Sequence, residues 1–509
     1  MTGSAPITPE QARRMSLAEQ HEWFTRTAVS DSPGPGGRSR ATADGGRARR
    51  GILAPFGRHL AFGADPATQM SVGWQVAGPV SDAFIRIGET PSDLSQRIPA
   101  EVRNLLSPYS IWSAGALNSV PPSLTGAAVE QYYVHAALAG LEPGRTYYYS
   151  VGHRGRDSGD VSGHFVTAPR GRHPFTFTAF GDHGVTYDAV GTTNLIRAQR
   201  PAFHLHAGDV SYAEASGQGL VTDSYDPRVW DSWFAEIEPA AAVIPWQVVV
   251  GNHEMEAWYS ADGYAGQRAR FDFPSPAGAP APMYYSFIYG NVGVLALDAN
   301  DVCSELPANF GYSAGAQVSW LNSTLTAMRA SPEVDFIVAY CHQCAYCTCA
   351  VHGCDGGVEQ YFVPAFDAHA VDLVINGHNH IYERTDPIRG GVAAGAVPIG
   401  GSWNPADGTT YITAGGAGKG VYTFSAADSY EGDVDASAAP VSTFVNNFDP
   451  ATRTTFTTSE TVTWSRVRYT GYCLLVVDSE PGAPGRPSVL RVRALDEDGA
   501  ELDRFDLVR

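Results

Sequence analysis

The chain has 509 residues, 44% of them hydrophobic and 17% charged, with 54 glycines and 34 prolines. This composition excludes a collagen, a coiled coil and a solvated tail, and the length allows about three domains at roughly 150 residues each. Its 34 basic and 53 acidic residues give a formal net charge of −19. Such a field repels polyanions, so nucleic-acid binding is not expected, and a small anionic substrate would need a strongly positive local site such as a metal cluster.

Residues 1–50 open with one predicted helix, Thr8 to Phe24, with Thr8 as N-cap and Pro9 in the first turn; Ser30 to Arg50, almost without apolar residues, then reads as a flexible linker. The arginine pairs Arg13-Arg14 and Arg49-Arg50 are not followed by an apolar run, so no export signal is expected in this chain. Residues 51–170 carry short period-two segments, including His59 to Phe62, Met70 to Val76, Ala83 to Ile87, Gln131 to His135, Thr146 to Val151 and His164 to Thr167. Turn residues separate them and no strong helix intervenes, which predicts a β-sandwich of the immunoglobulin or fibronectin type III kind.

From Phe175 the rhythm changes to an α/β (α+β) pattern of buried strand, sharp polar turn and helix. Apolar runs end at Gly181-Asp182, Gly208-Asp209, Gly251-Asn252, Cys341-His342 and Gly377-His378. Ala189 to Gln199 and Ala316 to Met328 are the expected covering helices. Pro239 to Val250 is the longest mostly apolar stretch, but Pro245 interrupts it and it falls short of the ~20 residues a membrane span requires. Residues 388–465 are rich in Gly, Ser and Thr and predict loops and short strands at the rim of a site. Segments starting at Gly471, Ser488 and Leu502 then alternate as strands that close a second sheet.

Ligands bind at the C-terminal edge of strands in an α/β sheet, so five such turns can converge on one crevice. Together they offer Asp182, Asp209, Tyr212, Asn252, His342, His378 and His380, a mixture of hard oxygens and imidazoles that suits two metal ions sharing a carboxylate. His204 and His206 precede the ligand turn and read as satisfied structural histidines, whereas His183 stays ambiguous. Five of the seven cysteines crowd between Cys341 and Cys354. Their CxxCxxC spacing invites zinc, but no second CxxC pair follows, and a structural role is favoured, with a disulfide such as Cys349 to Cys354 or free thiols both open.

Gly181-Asp182-His183-Gly184, Gly208-Asp209-Val210-Ser211-Tyr212, Gly251-Asn252-His253-Glu254, Ala339-Tyr340-Cys341-His342 and Gly377-His378-Asn379-His380-Ile381-Tyr382-Glu383-Arg384 resemble the five ordered motifs of the metallophosphoesterases. Tyr212 and the His-x-Tyr-Glu-Arg ending resemble the purple acid phosphatase branch. The resemblance implies a catalytic domain over 171–509, with the sandwich as that family's N-terminal domain. It implies a ferric ion on Asp182, Asp209, Tyr212 and His380, and a divalent zinc, iron or manganese on Asp209, Asn252, His342 and His378, with Asp209 as the bridge. Without Tyr212 the other six would still make a dimetal phosphoesterase site.

The resemblance also implies that His253, outside the coordination sphere, contacts phosphate and protonates the leaving group, with His352 assisting. The residue before His352, often histidine in relatives, is Val351 here. Asp355 would orient an outer group, and Glu254, Glu383 and Arg384 would hold loops. The expected activity is hydrolysis of small phosphate monoesters by metal-activated hydroxide. A phosphodiesterase or nucleotide-cleaving enzyme on the same scaffold, and a surface-binding protein with a structural metal site, are the alternatives. The resemblance implies an exported enzyme, in contrast to the expectation of no export signal read from the sequence.

Overall fold

A computed structural model describes residues 53–107, 129–157, 159–220, 224–274, 283–425, 434–437 and 440–509, with residues 11, 15–20 and 22 ahead of them. The expected helix Thr8 to Phe24 lies mostly outside the described residues, and the linker Ser30 to Arg50 wholly so.

The N-terminal part is a sandwich of two four-stranded antiparallel sheets. One orders Phe56–Phe62, Met70–Val76, Val129–Leu138 and Glu101–Ser107; the other orders Gln96–Pro99, Phe84–Gly88, Thr146–Gly152 and Gly163–Val166. Alternation drives this: Val72, Trp74 and Val134 of one sheet and Ile85, Tyr149 and Phe165 of the other share one buried apolar core. The strands Gln96–Pro99 and Glu101–Ser107 escaped the periodicity, because their exposed polar residues mask the strand pattern.

Two seven-stranded mixed sheets follow. The five apolar strands expected to end in ligands all form, but they divide between the sheets: Phe175–Phe180, Phe203–His206 and Trp246–Val248 run parallel in the first, and Phe336–Cys341 and Leu373–Asn376 run parallel in the second. The crevice is therefore the shared end of two sheets. Inner faces meet through the edge contact of Phe203 with Phe287, whose centroids lie 5.5 Å apart, and through Tyr285 and Tyr340, whose hydroxyls donate to the backbone carbonyls of Val248 and Gln247. The helices Tyr187–Gln199 and Ala316–Ala330 match the expected pair.

The C-terminal strands Leu474–Glu480, Val489–Leu495 and Glu501–Val508 complete the first sheet. The short strands expected between 388 and 465 form at Ile388–Arg389, Val392–Ala393, Ser402–Trp403 and Thr410–Ala414, but the segment also holds longer ones. Val441–Asp449 and Thr454–Val462 form a hairpin of two nine-residue strands, joined to the body by Cys354–Asp355. Its Thr- and Ser-rich outer strand is exposed along nearly its whole length, so no apolar alternation marks it. The hairpin Tyr285–Tyr289 and Val292–Ala296 was also unread, although Gly290 at φ 57° supplies its turn.

The helix Arg228–Ala241 joins the sandwich to the larger unit. Gln75 and Gln131 donate to Asp231, and Glu238 accepts the Gly57 N–H. Arg384, expected to hold a loop, instead links the two sheets: it and Asp503, both about 0–1% exposed, pair through two guanidinium nitrogens. No helix among the described residues is long and apolar enough to cross a membrane. Because removing one partner strands the other charge in the interior, Arg384→Ala should lower the unfolding free energy by about 3–5 kcal/mol in urea denaturation.

Candidate dimetal site

Four of the seven expected ligands sit on left-handed backbone: Asp182 at φ 64°, Asp209 at 52°, Tyr212 at 58° and His378 at 70°. Only nine non-glycine residues do so among those described. Each such conformation costs roughly 1–3 kcal/mol, and the strain clusters where the strand must turn sharply to aim its side chain across the sheet end. Neighbouring glycines leave the room. A Cβ on Gly251 would stand 2.2 Å from Asp209 Oδ1, and one on Gly377 2.6 Å from Asp182 Oδ2.

All seven side chains converge on one buried cluster. Tyr212 Oη lies 3.1 Å from Asp182 Oδ1 and 3.0 Å from His380 Nε2, and His380 Nε2 lies 3.4 Å from Asp182 Oδ1. Beside this group, His342 Nε2 is 3.0 Å from Asn252 Oδ1 and 3.2 Å from Asp209 Oδ2, with His378 close enough for the ligand atoms of Asp209, His342 and His378 to lie within 4.8 Å of one another. Two donors each about 2.1 Å from one ion and at right angles stand about 3 Å apart, so both groups have the spacing of donors around a common cation.

The orientation of these donors is fixed from behind. His342 Nδ1 meets the Ala207 carbonyl and His380 Nδ1 the Gly420 carbonyl, each at 2.7 Å, which places a ring proton on Nδ1 and keeps Nε2 as the atom that faces the cluster. His380 is further stacked on Tyr422 at 4.0 Å. Glu254 accepts the backbone N–H groups of Asp209, Val210 and Gly251, as expected of a loop-holding residue. Glu383 accepts the Thr348 N–H and the hydroxyls of Thr348 and Ser465.

Electrostatics point to a cation. Burial opposes charge on His342, yet Asp209 and Asp182 outweigh it and hold the imidazole up at about 10. Burial, then the same two carboxylates, pushes the Tyr212 phenol well above its ordinary range. The chain by itself thus captures protons to offset two buried carboxylates, and metal ions would release those protons on binding. Hard oxygens on one side and amide oxygen with two imidazoles on the other fit a trivalent and a borderline divalent ion.

The two expected catalytic histidines adjoin the cluster at different ligands. His253 packs against Tyr212, centroids 4.4 Å apart, and its Nδ1 meets the Glu214 carbonyl at 2.7 Å, leaving Nε2 3.8 Å from Asp209 Oδ2. His352 packs 4.1 Å from His378 and lines a cavity of about 280 Å³ with Glu305, His378, Asn446, Phe456 and Thr457. Burial, then His378, pushes His352 down to about 3.

Other expectations resolve as follows. Asp355 caps the helix Gly356–Tyr361 and binds Ser304 through its backbone N–H and hydroxyl, so it orients the Ser304-Glu305 segment. His183 is structural, meeting Ala189, Thr193 and Trp233. His204 and His206 are buried as expected but not satisfied, since His204 Nε2 and both nitrogens of His206 lack partners inside an aromatic box with Phe180 and Trp246. All seven cysteines are free and buried, so the Cys349 to Cys354 disulfide does not form. Cys347, Cys349 and Cys344 pack with Ile381 and Phe424, and the metal-suited residue groups found among the described residues contain no cysteine.

Two residues were missed. Glu305, in an ordinary loop sequence, has Oε2 2.9 Å from His378 Nε2. Lys419, within a glycine-rich loop, places its ammonium 4.1 Å from the Tyr212 ring centroid and bears on both Asp182 and Asp209. Nothing local in the sequence signals either, because only folding brings them to the cluster.

Comparison with known proteins agrees with this geometry. Residues 55–167 match the family model "Purple acid Phosphatase, N-terminal domain", and 175–382 match "Calcineurin-like phosphoesterase". An uncharacterized protein of Mycobacterium tuberculosis is 30% identical over 472 residues, covering 86% of this chain and 83% of that one. Purple acid phosphatase 18 of Arabidopsis thaliana is 26% identical over 379 residues, covering 74% and 76%. The structure of a purple acid phosphatase from yellow lupin (Lupinus luteus) seeds shares the fold with a TM-score of 0.65 at 19% identity, covering 90% of this chain and 75% of that one. With both halves matched in order and relatives aligned across most of their length, the chain belongs to the purple acid phosphatase family and is a phosphoester-hydrolysing metalloenzyme.

Proposed function

We propose that the enzyme hydrolyses small phosphate monoesters, with Asp182, Asp209, Tyr212 and His380 holding a ferric ion and Asp209, Asn252, His342 and His378 holding a divalent zinc, iron or manganese. The observation that carries this reading is the pair of donor groups meeting at the two carboxylates, at separations of 3.0–3.4 Å, with a histidine packed against a ligand of each. When bound, the two ions would supply positive charge to the phosphoryl oxygens and acidify a water for attack.

The chain's own groups do the rest. His253 is held by the Glu214 carbonyl so that Nε2 faces the cluster, where it donates a proton to the departing alkoxide. Lys419 adds local positive charge beside Tyr212 for the phosphate. His352, on the cavity wall, positions the ester's alcohol part, and about 280 Å³ suits a small metabolite. An onion (Allium cepa) relative, 28% identical over 263 residues, is named phosphoenolpyruvate phosphatase, which supports a monoester substrate.

A panel of monoesters, diesters and nucleotides, assayed for phosphate or alcohol release with Asp209→Asn as blank, should show preference for monoesters; activity confined to diesters would overturn the reading. Asp209→Asn should abolish turnover. His253→Ala should keep its metals by elemental analysis yet lose about 100-fold or more of kcat, so loss of metal in that variant would place His253 inside the coordination sphere. A ferric phenolate absorbs visible light, and Tyr212→Phe should therefore bleach any visible band of the purified protein; an unchanged spectrum would remove Tyr212 from the donor set.

A further inference from the structure

Glu305 is the anomaly of the divalent side. Its Oε2 is buried and accepts no hydrogen bond, although the side chain as a whole is 27% exposed, and it stands 2.9 Å from His378 Nε2. Its other oxygen lies 3.6 Å from His352 Nδ1. A carboxylate free to choose would turn both oxygens to water, since burying one without a partner is unfavourable. The backbone around it is held in place: Ser304 donates twice to Asp355, which caps the following helix through the Gly357 and Val358 N–H groups, and Leu306 is buried. Glu305 is thus pointed at the cluster by its surroundings.

The 2.9 Å separation equals, within a few tenths of an ångström, the spacing between the other donors of the site. His378 belongs to two groups whose ligand atoms lie within 4.8 Å, one with Asp209 and His342 and one with Glu305 and His352. From this geometry we infer that Glu305 is a fifth protein donor to the divalent position, joining Asp209, Asn252, His342 and His378. The inference rests on the dimetal reading above. Three oxygens and two nitrogens exceed the four ligands that zinc usually takes, and a second carboxylate favours a harder ion that accepts five or six donors. The divalent position is therefore tuned toward manganese or ferrous iron relative to what the other four residues alone would select. Intrinsic affinities still rise from manganese to zinc, so the effect of Glu305 is on the ratio.

The test is calorimetric titration of the metal-free full-length protein with manganese and, separately, zinc, for the parent, Glu305→Gln, Glu305→Ala and Asp209→Asn. Glu305→Ala should lower manganese affinity tenfold or more and zinc affinity by clearly less, with Glu305→Gln between the two. The rise in thermal unfolding temperature produced by manganese should shrink in the same order, while the chelated variants unfold no earlier than the chelated parent, because a buried unpartnered oxygen has been removed. Equal losses for both ions, or no loss, would overturn the inference about Glu305. Should Asp209→Asn also bind both metals like the parent, the dimetal reading itself fails, which distinguishes the two outcomes.

Discussion

Two like charges held together out of water are the constraint around which this structure is arranged. Asp182 and Asp209 are 0% and 2% exposed and close one sheet end side by side. Left alone, such a pair drives at least one group to take up a proton, or draws protons onto its neighbours. Here the neighbouring His342 takes that part, and backbone N–H groups share the rest: the His378 N–H donates to Asp182 and the His253 N–H to Asp209. Each carboxylate thereby gives one oxygen to the backbone and turns the other to the cluster. Four residues on left-handed backbone add strain to the same few turns. The two packed sheets, with their stacked aromatic interior, supply the stability against which that strain is set.

The charge of the whole molecule gives this concentration of ligands its meaning. At −19, the surface field opposes the approach of any phosphate. Only a local positive centre can reverse it. Lys419 beside Tyr212 is one contributor, and the donor set invites a much larger one. Because the donors are buried and screened little by salt, a cation held there would attract phosphate at short range in spite of the repulsive exterior.

Much of the site was legible in the sequence because strand ends advertise themselves. A run such as Phe175 to Phe180 followed by Gly181-Asp182 joins a burial signal to a turn signal, and five such junctions in order carry more than any one of them. The division of those strands between two sheets was not legible, since pairing partners leave no mark on a five-residue apolar run. Glu305 and Lys419 escaped for a related reason: each sits in a loop whose local pattern is unremarkable, and each gains significance only from distant residues, His378 and Tyr212. His204 and His206 show the opposite failure. Their alternation correctly indicated burial, but not that an aromatic box would leave ring nitrogens without partners.

The hairpin formed by Val441–Asp449 and Thr454–Val462 overhangs the cavity with Asn446, Phe456 and Thr457, yet supplies none of the seven residues at the cluster. It is tied to the body by a two-residue pairing at Cys354–Asp355 and presents an exposed outer strand to solvent. On the proposed reading, the donors of the cluster and part of the wall that would face the ester's alcohol are consequently housed in separate pieces of polypeptide. Length, twist and side chains of this ribbon can drift, or be exchanged between relatives, without disturbing the strained turns below it, so one hydrolytic engine can be refitted to new esters by editing about twenty residues that never touch phosphorus.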